Sequence, residues 1–458
     1  MPGDLNYRED WPAWIRERLG RTFNCPFCKK RHHLPIKKIV EAPGAINRVD
    51  LLVKELGINH KKALVLSDEV TYQVAAKTVA KNLSSLMRVV SLVLRPQQEK
   101  RLSAREEYIN SILQAGKDCG LLVTVGTGTI TDLGKYAGHL TGVPVITVAT
   151  AASMNAYTSP VAALFQGGLK VARPVKPALA VVIDSEIIRS APLALTRAGF
   201  ADSLARGNAN ADWYLGCLLS DQKYCPLSAL LVEQAERKYF HAGRKLTRKD
   251  ASTIKAVMQG LTMGGFSMLL AGSSAPASGG EHLISHFWDM YGHYHRRQVF
   301  AYHGLQVGLG TLVTAHIYDR LKVLSPEEMR ARLNTFQPDT SAELSRIGYL
   351  LPFSKQAIEC QWRQKRKKIA FARRRLARNW ARIVRDIFPE VHSAAEIKQA
   401  LDQAGCPTAP EEIGISPALT VQAIELSRYL RDRLTILDIA AESGILQEML
   451  REDLKEWL

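Results

Sequence analysis

Long apolar runs are missing from this chain of 458 residues. None reaches the length of about 18 residues that suggests a membrane span. The first residues, MPGDLNYREDWPAW, lack the basic and then apolar segments of a secretory signal. The seven cysteines are odd in number and mostly scattered, which favours free thiols in a reducing compartment over a disulfide framework. We therefore expect a cytoplasmic protein without a transmembrane segment.

Positive charge is concentrated in one part of the chain. The net charge is +17, and eleven Lys or Arg but no acidic residue fall between Arg363 and Arg385. Apolar residues recur there at spacings of three and four, at Ile369, Ala372, Leu376, Trp380 and Ile383. This pattern predicts a basic amphipathic helix that lies on another part of the molecule. Its charged face is either a solvated surface or a contact for an acidic partner, a nucleic acid or a membrane surface.

Residues from Lys38 to about Ile188 alternate between apolar strands and amphipathic helices. The predicted strands are ALVLSD (63–68), VVSLVL (89–94), LLVTV (121–125), VPVITVAT (143–150) and ALAVVID (178–184). Such alternation predicts a parallel sheet covered on both faces. From Ser190 onward every segment favours helix, including one predicted over 420–442 and another over 446–458. The expected architecture is an α/β nucleotide-binding domain with a cysteine-containing leader (1–188) and an all-α metal- and substrate-binding domain (189–458).

A glycine-rich turn follows the strand at 121–125 and opens a helix. It reads Gly126-Thr127-Gly128-Thr129-Ile-Thr-Asp132. Glycines allow the backbone to approach a diphosphate, whose charge is stabilised by a helix N-terminus. The usual dinucleotide fingerprint has a third glycine, and Thr131 occupies that position. The turn therefore indicates a nucleotide site without identifying the nucleotide.

Two further candidate contacts lie at the carboxyl ends of predicted strands, where α/β folds bind their ligands. One is Thr150-Ala-Ala-Ser153. The other is Asp68, which is placed to accept hydrogen bonds from a ribose diol. Asp68 is equally suited to cap the helix that follows it.

Histidines cluster between residues 282 and 303, where five of the chain's twelve occur. On a helix, His282 and His286 project from one face, because they are four residues apart. His303 begins a second apolar run whose glycines, at 304, 308 and 310, suit close helix packing. Imidazoles from two helices commonly form a metal site, although ordinary core or surface histidines are the alternative.

The leader contains Cys25-Pro-Phe-Cys28 followed by His32 and His33. Two thiolates and two imidazoles are potential zinc ligands, but four ligands within nine residues are tightly spaced. We expect a hairpin with buried thiols, with a structural zinc as the alternative. Asp202 is another isolated acidic residue, either a helix cap or a carboxylate that is paired or metal-bound if buried.

Five ordered stretches together resemble the sn-glycerol-1-phosphate dehydrogenase family, within the dehydroquinate-synthase-like and iron-containing alcohol dehydrogenase superfamily. They are GTGTITDLGKYAG (126–138), TAASMNAYTS (150–159), AGFADSLARGNANADW (198–213), ASGGEHLISHFWDM (277–290) and HGLQVGLGTL (303–312). The leader CPFCKKRHHLPIKKIV and the end of the chain resemble the longer bacterial members. The resemblance covers nearly all of residues 25–450.

This resemblance implies metal-dependent, reversible reduction of dihydroxyacetone phosphate to sn-glycerol 1-phosphate with NADH or NADPH, a step of glycerophospholipid metabolism. It implies metal ligation by Asp202, His282 and His303, with zinc or nickel expected and iron also compatible. It assigns substrate contacts to His286 and Asp202, both also expected to be catalytic. The implied cofactor contacts are Asp68, Gly126, Thr127, Gly128, Thr129, Asp132, Thr150, Ser153 and Ser159.

One position departs from the family pattern, which has Asp where this chain has Asn155. An amide loses the negative charge and gains donors, so we expect Asn155 to contact substrate with an altered preference. The alternatives are a related polyol or polyol-phosphate dehydrogenase, a cyclase-like enzyme of the same superfamily, or a nucleic-acid or membrane-surface binding protein with vestigial enzyme motifs. A homo-oligomer is also expected.

Overall fold

The computed structural model describes residues 11–97, 99–220, 222–296 and 298–452. The start of the chain and the last six residues of the helix predicted over 446–458 therefore lie outside the described residues. The strands are Thr22–Asn24 (β1), Arg31–His33 (β2), Lys38–Ala42 (β3), Lys62–Asp68 (β4), Arg88–Leu94 (β5), Leu121–Gly126 (β6), Val145–Ala149 (β7), Val161–Gln166 (β8), Leu169–Pro174 (β9) and Ala180–Asp184 (β10).

The helices begin with α1 at Trp11–Glu17 and end with α21 at Ile445–Glu452. In between lie Val49–Glu55 (α2), Glu69–Thr71 (α3), Lys77–Leu83 (α4), Glu107–Ala115 (α5), Gly128–Thr141 (α6), Ser185–Ser190 (α7), Leu193–Leu204 (α8), Arg206–Leu219 (α9), Pro226–Glu236 (α10), Gly243–Thr247 (α11), Ala251–Ala271 (α12), Gly280–Arg296 (α13), His303–Lys322 (α14), Pro326–Thr335 (α15), Thr340–Leu350 (α16), Lys355–Asp386 (α17), Ala394–Ala404 (α18), Pro417–Leu426 (α19) and Ile436–Glu442 (α20). A π-helical turn, Tyr72–Ala76, joins α3 to α4.

Six strands form a parallel sheet in the order β3-β10-β7-β6-β4-β5. Strands β6, β7 and β10 are buried along their whole length, as expected for a sheet covered on both faces. After Asp184 all described elements are helices. The predicted fold class, a parallel α/β part followed by a helical part, is confirmed. The domain boundary near residue 188 stays a prediction.

A β-hairpin that was not predicted from the sequence lies between β7 and β10. Strands β8 and β9 pair antiparallel, with Gln166 opposite Leu169. The two residues between them, Gly167 and Gly168, both have positive φ (55° and 78°), which suits the turn of a two-residue hairpin. Two adjacent glycines between apolar runs were the signal for this turn.

The basic amphipathic helix predicted over 363–385 forms part of α17. Its five predicted apolar positions are all buried. Several cations pair with acidic residues near the C-terminus: Lys365 Nζ lies 2.7 Å from Asp438 Oδ2, and Lys368 Nζ lies 2.6 Å from Asp432 Oδ2. Part of the basic charge is therefore neutralised within the chain, and an external acidic partner stays a prediction.

The single helix predicted over 420–442 is wrong. Helix α19 ends at Leu426, and α20 begins only at Ile436. Thr435 is the N-cap residue of α20, and the Asp438 side chain accepts from its backbone N at 2.9 Å. The intervening segment is held by its arginines: Arg431 Nη2 donates to Lys170 O at 2.5 Å, and Arg433 Nη2 to Ser278 Oγ at 2.7 Å.

By length and composition alone, one helix among the described residues is able to cross a membrane. This helix is α12, and 78% of its most apolar stretch is buried inside the protein. Core helices pass the same test of length and composition, so α12 is only weak support for a membrane span.

Candidate active site where three helices meet

Glycines allow helix α14 to pack closely against two neighbours. A Cβ atom at Gly304 would lie 1.9 Å from the carbonyl oxygen of Ala198 on α8. At Gly310 it would lie 2.4 Å from the carbonyl oxygen of Glu281 on α13. Both separations are too short for any side chain, so these glycines permit the close approach of the three helices, as the sequence predicted.

This packing brings together Asp202 on α8, His282 on α13 and His303 on α14. Their ligand atoms all lie within 4.8 Å of one another. Asp202 Oδ1 lies 3.5 Å from His282 Nε2, and the rings of His282 and His303 are 5.3 Å apart. Within the described part of the chain, buried Asp202 Oδ1 makes no hydrogen bond. A buried oxygen without a hydrogen bond, facing two imidazoles, suits a divalent cation.

Neighbouring side chains orient both imidazoles. His282 Nδ1 lies 2.8 Å from Glu281 Oε1, which leaves Nε2 directed at Asp202. His303 Nδ1 lies 3.2 Å from Ser285 Oγ and 3.8 Å from Asp289 Oδ2. Partners of this kind fix the ring and its tautomer in metal sites. In both rings Nε2 is therefore the nitrogen available to an ion.

The electrostatics favour a charged carboxylate at Asp202. Burial opposes ionisation, but the contact with His282 and the charge of Arg206 outweigh it and hold the pKa of Asp202 below its ordinary value. Burial likewise disfavours a charged His282, yet its contacts with Asp202 and Glu281 raise its pKa above the ordinary value. Asp202 thus stabilises a positive charge on His282, and His282 stabilises the negative charge of Asp202. A divalent cation would replace the ring proton between them.

His286 lies one helical turn beyond His282, with its ring 5.8 Å from that of His303. It is buried, and its Nδ1 has no hydrogen-bond partner among the residues that the structure describes. Burial, reinforced by the charges of Lys170 and Arg431, holds the pKa of His286 well below its ordinary value. The ring is therefore neutral near pH 7 and free to exchange hydrogen bonds with a ligand.

A cavity of about 180 Å³ connects the glycine-rich turn to the helical side of the site. Its lining includes Thr127, Gly128, Thr129 and Ser153 on one side and His303 on the other. A Cβ at Gly128 would lie 1.7 Å from Met154 Sδ, so a larger residue there would have to displace the Met154 side chain. The space runs from a helix N-terminus to His303, one of the candidate metal ligands. This arrangement suits a dinucleotide with its reactive ring near a metal.

Other predicted cofactor contacts have protein partners. Asp132 lines the cavity, but its Oδ2 accepts from Ala163 N at 3.0 Å and its Oδ1 lies 3.2 Å from Lys135 Nζ. Ser159 Oγ accepts from the same lysine at 3.1 Å and is not part of the cavity lining. Asp132 and Ser159 thus anchor buried Lys135.

Asp68 caps the helix after β4, since its Oδ1 accepts from Thr71 N at 2.8 Å. The capping alternative is therefore observed, and a ribose contact stays a prediction. The backbone N of Thr150 donates to Gly126 O at 3.2 Å and so holds the glycine-rich turn. Neither Asp68, Thr150, Gly126 nor Asn155 lines the cavity. Their contacts to a ligand stay predictions.

Two cations near the site were not found from the sequence. Lys170 on β9 forms an ion pair with Asp289, and its Nζ lies 3.5 Å from His303 Nδ1. Arg431 donates to the backbone of Lys170 at 2.5 Å. The β8–β9 hairpin and the segment before α20 supply these residues, and neither element was predicted.

The leader forms the predicted hairpin, with β1 and β2 paired antiparallel. His33 does not join the thiols, because its Nδ1 lies 3.1 Å from Thr22 Oγ1. His32 and both leader cysteines instead meet Cys225, which is distant in sequence. Among the described residues the cysteines are free of disulfides.

Comparison with known proteins adds a family. Residues 40–192 match the iron-containing alcohol dehydrogenase family model. A glycerol-1-phosphate dehydrogenase (NAD(P)+) of Bacillus licheniformis is 26% identical over 443 residues, covering 96% of this chain and 97% of that protein. The protein of the same name from Staphylothermus marinus is 31% identical, covering 62% of this chain and 78% of that protein.

The fold has solved counterparts. The structure of a probable glycerol dehydrogenase from Sinorhizobium meliloti superposes with a TM-score of 0.58. The superposition covers 91% of this chain and 98% of that chain, at 16% sequence identity. This likeness concerns the arrangement of helices and strands alone.

Proposed function

The chain belongs to the glycerol-1-phosphate dehydrogenase family of NAD(P)-dependent oxidoreductases, and we propose that it catalyses the metal-dependent, reversible reduction of dihydroxyacetone phosphate to sn-glycerol 1-phosphate. The observation that carries this proposal is the convergence of Asp202, His282 and His303 beside a cavity that reaches the glycine-rich turn. A metal-dependent, nicotinamide-linked ketone reductase needs these two features side by side.

Asp202, His282 and His303 would hold one divalent cation. Such an ion, when bound, polarises a substrate carbonyl as a Lewis acid. Three protein ligands leave coordination positions open, as catalytic sites require. Zinc and nickel suit one carboxylate and two imidazoles, and iron also fits. Glu281, Ser285 and Asp289 orient the two rings before any ion arrives.

The nicotinamide cofactor, which supplies the hydride, would lie along the cavity. Its diphosphate would lie at the turn that follows Gly126, where Thr127, Gly128 and Thr129 line the cavity and α6 begins, with Ser153 also in the lining. Asp68 lies at the end of a neighbouring strand, where a carboxylate favours a free ribose hydroxyl over a 2′-phosphate. NAD is therefore the first cofactor to test, with NADP beside it.

The substrate proposal rests on charge around His286. Lys170 and Arg431 both act on this neutral ring, and they place positive charge where an anionic substrate would lie. A phosphorylated triose fits this environment better than an uncharged polyol. The neutral His286 ring would hydrogen-bond a substrate hydroxyl and pass a proton to the oxygen that gains negative charge. Asn155 is retained as a further substrate contact.

Purified protein with dihydroxyacetone phosphate and NADH or NADPH tests the proposal. We expect nicotinamide absorbance to fall continuously, to stop after chelation and to resume when zinc or nickel is restored. Asp202→Asn should abolish turnover, whereas Asp250→Asn, at the N-cap of α12, should not. Oxidation of unphosphorylated glycerol alone would favour a polyol dehydrogenase. Product formation without net cofactor turnover would favour a cyclase-like reaction, and either result would overturn the proposal.

A further inference from the structure

A second group of metal-binding side chains lies where the β1–β2 hairpin meets the start of α10. It consists of Cys25, Cys28, His32 and Cys225, whose sulfur and nitrogen ligand atoms all lie within 4.8 Å of one another. We infer that these four side chains bind a structural zinc ion that fastens the leader hairpin to helix α10. This site is separate from the candidate active site and does not depend on the proposed reaction.

The distances within the group match a tetrahedral ion. Zinc with Zn–S bonds of about 2.3 Å and Zn–N bonds of about 2.0 Å separates two sulfurs by about 3.8 Å, and a sulfur and a nitrogen by about 3.5 Å. Cys25 Sγ and Cys225 Sγ are 3.8 Å apart, and Cys225 Sγ lies 3.7 Å from His32 Nε2. Cys28 Sγ lies 3.2 Å from the same nitrogen, so this pair would widen slightly on binding.

The ligand types select zinc among common cations. Three thiolates and one imidazole form a standard structural zinc set, whereas magnesium, calcium and manganese prefer oxygen ligands. Four protein ligands also close the coordination sphere. No position is then left for a substrate, so the ion would stabilise structure and not catalyse a reaction.

The hairpin is built to present three of the ligands together. Cys25 N donates to Lys30 O at 2.8 Å, and Lys29 N donates to Cys25 O at 3.1 Å, which closes the turn. Lys29 adopts a left-handed conformation there, with φ of 57°. Side chains alternate along a strand, so His32 faces the thiols while His33 faces away towards Thr22.

The fourth ligand comes from the helical part of the chain. Cys225 immediately precedes Pro226, the first residue of α10, and is only 4% exposed. Cys25 is 1% exposed, whereas Cys28 and His32 are partly exposed. Two ligands are thus held in place by the interior, and two are reachable from solvent by an incoming ion.

The hairpin has a physical need for such a tether. Each of its strands has three residues, and an isolated two-stranded hairpin is marginal in water. Its apolar support includes Phe23, whose ring lies 4.9 Å from that of Trp14. A zinc ion shared between the hairpin and α10 would add binding free energy to this docking.

Metal content and metal–sulfur distances test the inference directly. Full-length protein is treated with a mild chelator to empty the active site, and zinc is then measured by mass spectrometry and X-ray absorption. We expect about one zinc per chain to remain, with Zn–S distances of about 2.3 Å. Cys225→Ser and Cys28→Ser should lower this retained zinc at least ten-fold. Cys119→Ser, at a buried cysteine outside the group, should leave it unchanged. Asp202→Asn should also retain it.

A mercurial titration of the wild-type chain covers the case in which the cysteine variants fail to fold. Zinc should be released in step with the reacting thiols and be detected by a colorimetric chelator. Cobalt substitution should also give the near-ultraviolet thiolate-to-cobalt charge-transfer band, which an Asp-His-His site cannot produce. Absence of sulfur-bound zinc in the wild type, its retention in Cys225→Ser, or a Cys25–Cys225 disulfide in freshly purified protein would overturn the inference.

Discussion

Glu281 is the residue through which the candidate metal site is most sharply tested, because it orients a ligand without touching the ion. Its Oε1 lies 2.8 Å from His282 Nδ1 and also accepts from Gly279 N at 2.6 Å. Glu281→Gln keeps the size and one acceptor of the side chain but removes its charge. The His282 ring then becomes a less basic ligand.

The expected loss of metal affinity is about 10- to 100-fold, the usual effect of removing a partner that supports a metal-binding histidine. This corresponds to about 1.4–2.7 kcal/mol. Competition with a fluorescent chelator measures the affinity for zinc and nickel. Glu343→Gln is the matched control, because Glu343 is also buried but pairs with Arg428 away from the site. Equal metal affinity in Glu281→Gln and wild type would refute the proposed role of Glu281.

The metal-free protein gives an independent measurement on the same variant. Burial, with the charge of Glu281, raises the pKa of Asp212 to about 7 from 3.8. The folded state therefore binds this proton more tightly than the unfolded state, and stability falls as the pH rises through this interval. Glu281→Gln removes one cause of the raised pKa. Urea unfolding of the metal-free variant should thus depend less on pH between about 4 and 7; an unchanged pH dependence would contradict this.

Three further predictions concern packing and substrate. In Gly304→Ala the new Cβ would lie 1.9 Å from Ala198 O, so α14 should move away from α8. We expect the free energy of unfolding to fall by about 1–3 kcal/mol, as urea unfolding measures, and metal binding to weaken, as metal competition measures. Arg431→Met should raise KM for dihydroxyacetone phosphate about ten-fold or more but leave KM for dihydroxyacetone nearly unchanged, because the two ketones differ only in the phosphate. Asn155→Asp should change the ranking of small polyol phosphates in steady-state assays, and an unchanged ranking would exclude Asn155 from substrate choice.

Local patterns in the sequence were sufficient to predict structural features that depend on neighbouring residues. The periodicity of apolar residues predicted the parallel sheet and the buried face of α17, because burial acts on residues of the same element. The helical spacing of His282 and His286 placed them on one helix. The glycines of α14 indicated close packing, which the structure shows at Gly304 and Gly310.

Patterns failed where distant contacts override local preference. The apolar residues at 420–442 favour helix, yet the arginines there bond to Lys170 and Ser278 and leave part of the segment irregular. The β8–β9 hairpin supplies Lys170 to the site, but its signal was only a pair of glycines. The sequence of these segments does not indicate which side chains contact them in the folded protein.

The sequence by itself determined the alternation of strands and helices, because this follows from residue types at fixed local spacing. Its ordered motifs carried the resemblance to the family, and that resemblance named Asp202, His282 and His303 as candidate metal ligands. Only the tertiary structure decided that Cys225 joins the leader thiols and that Lys170 stands beside His303. These facts depend on contacts between residues far apart along the chain. Such contacts arise from the packing of whole elements, which no local pattern specifies.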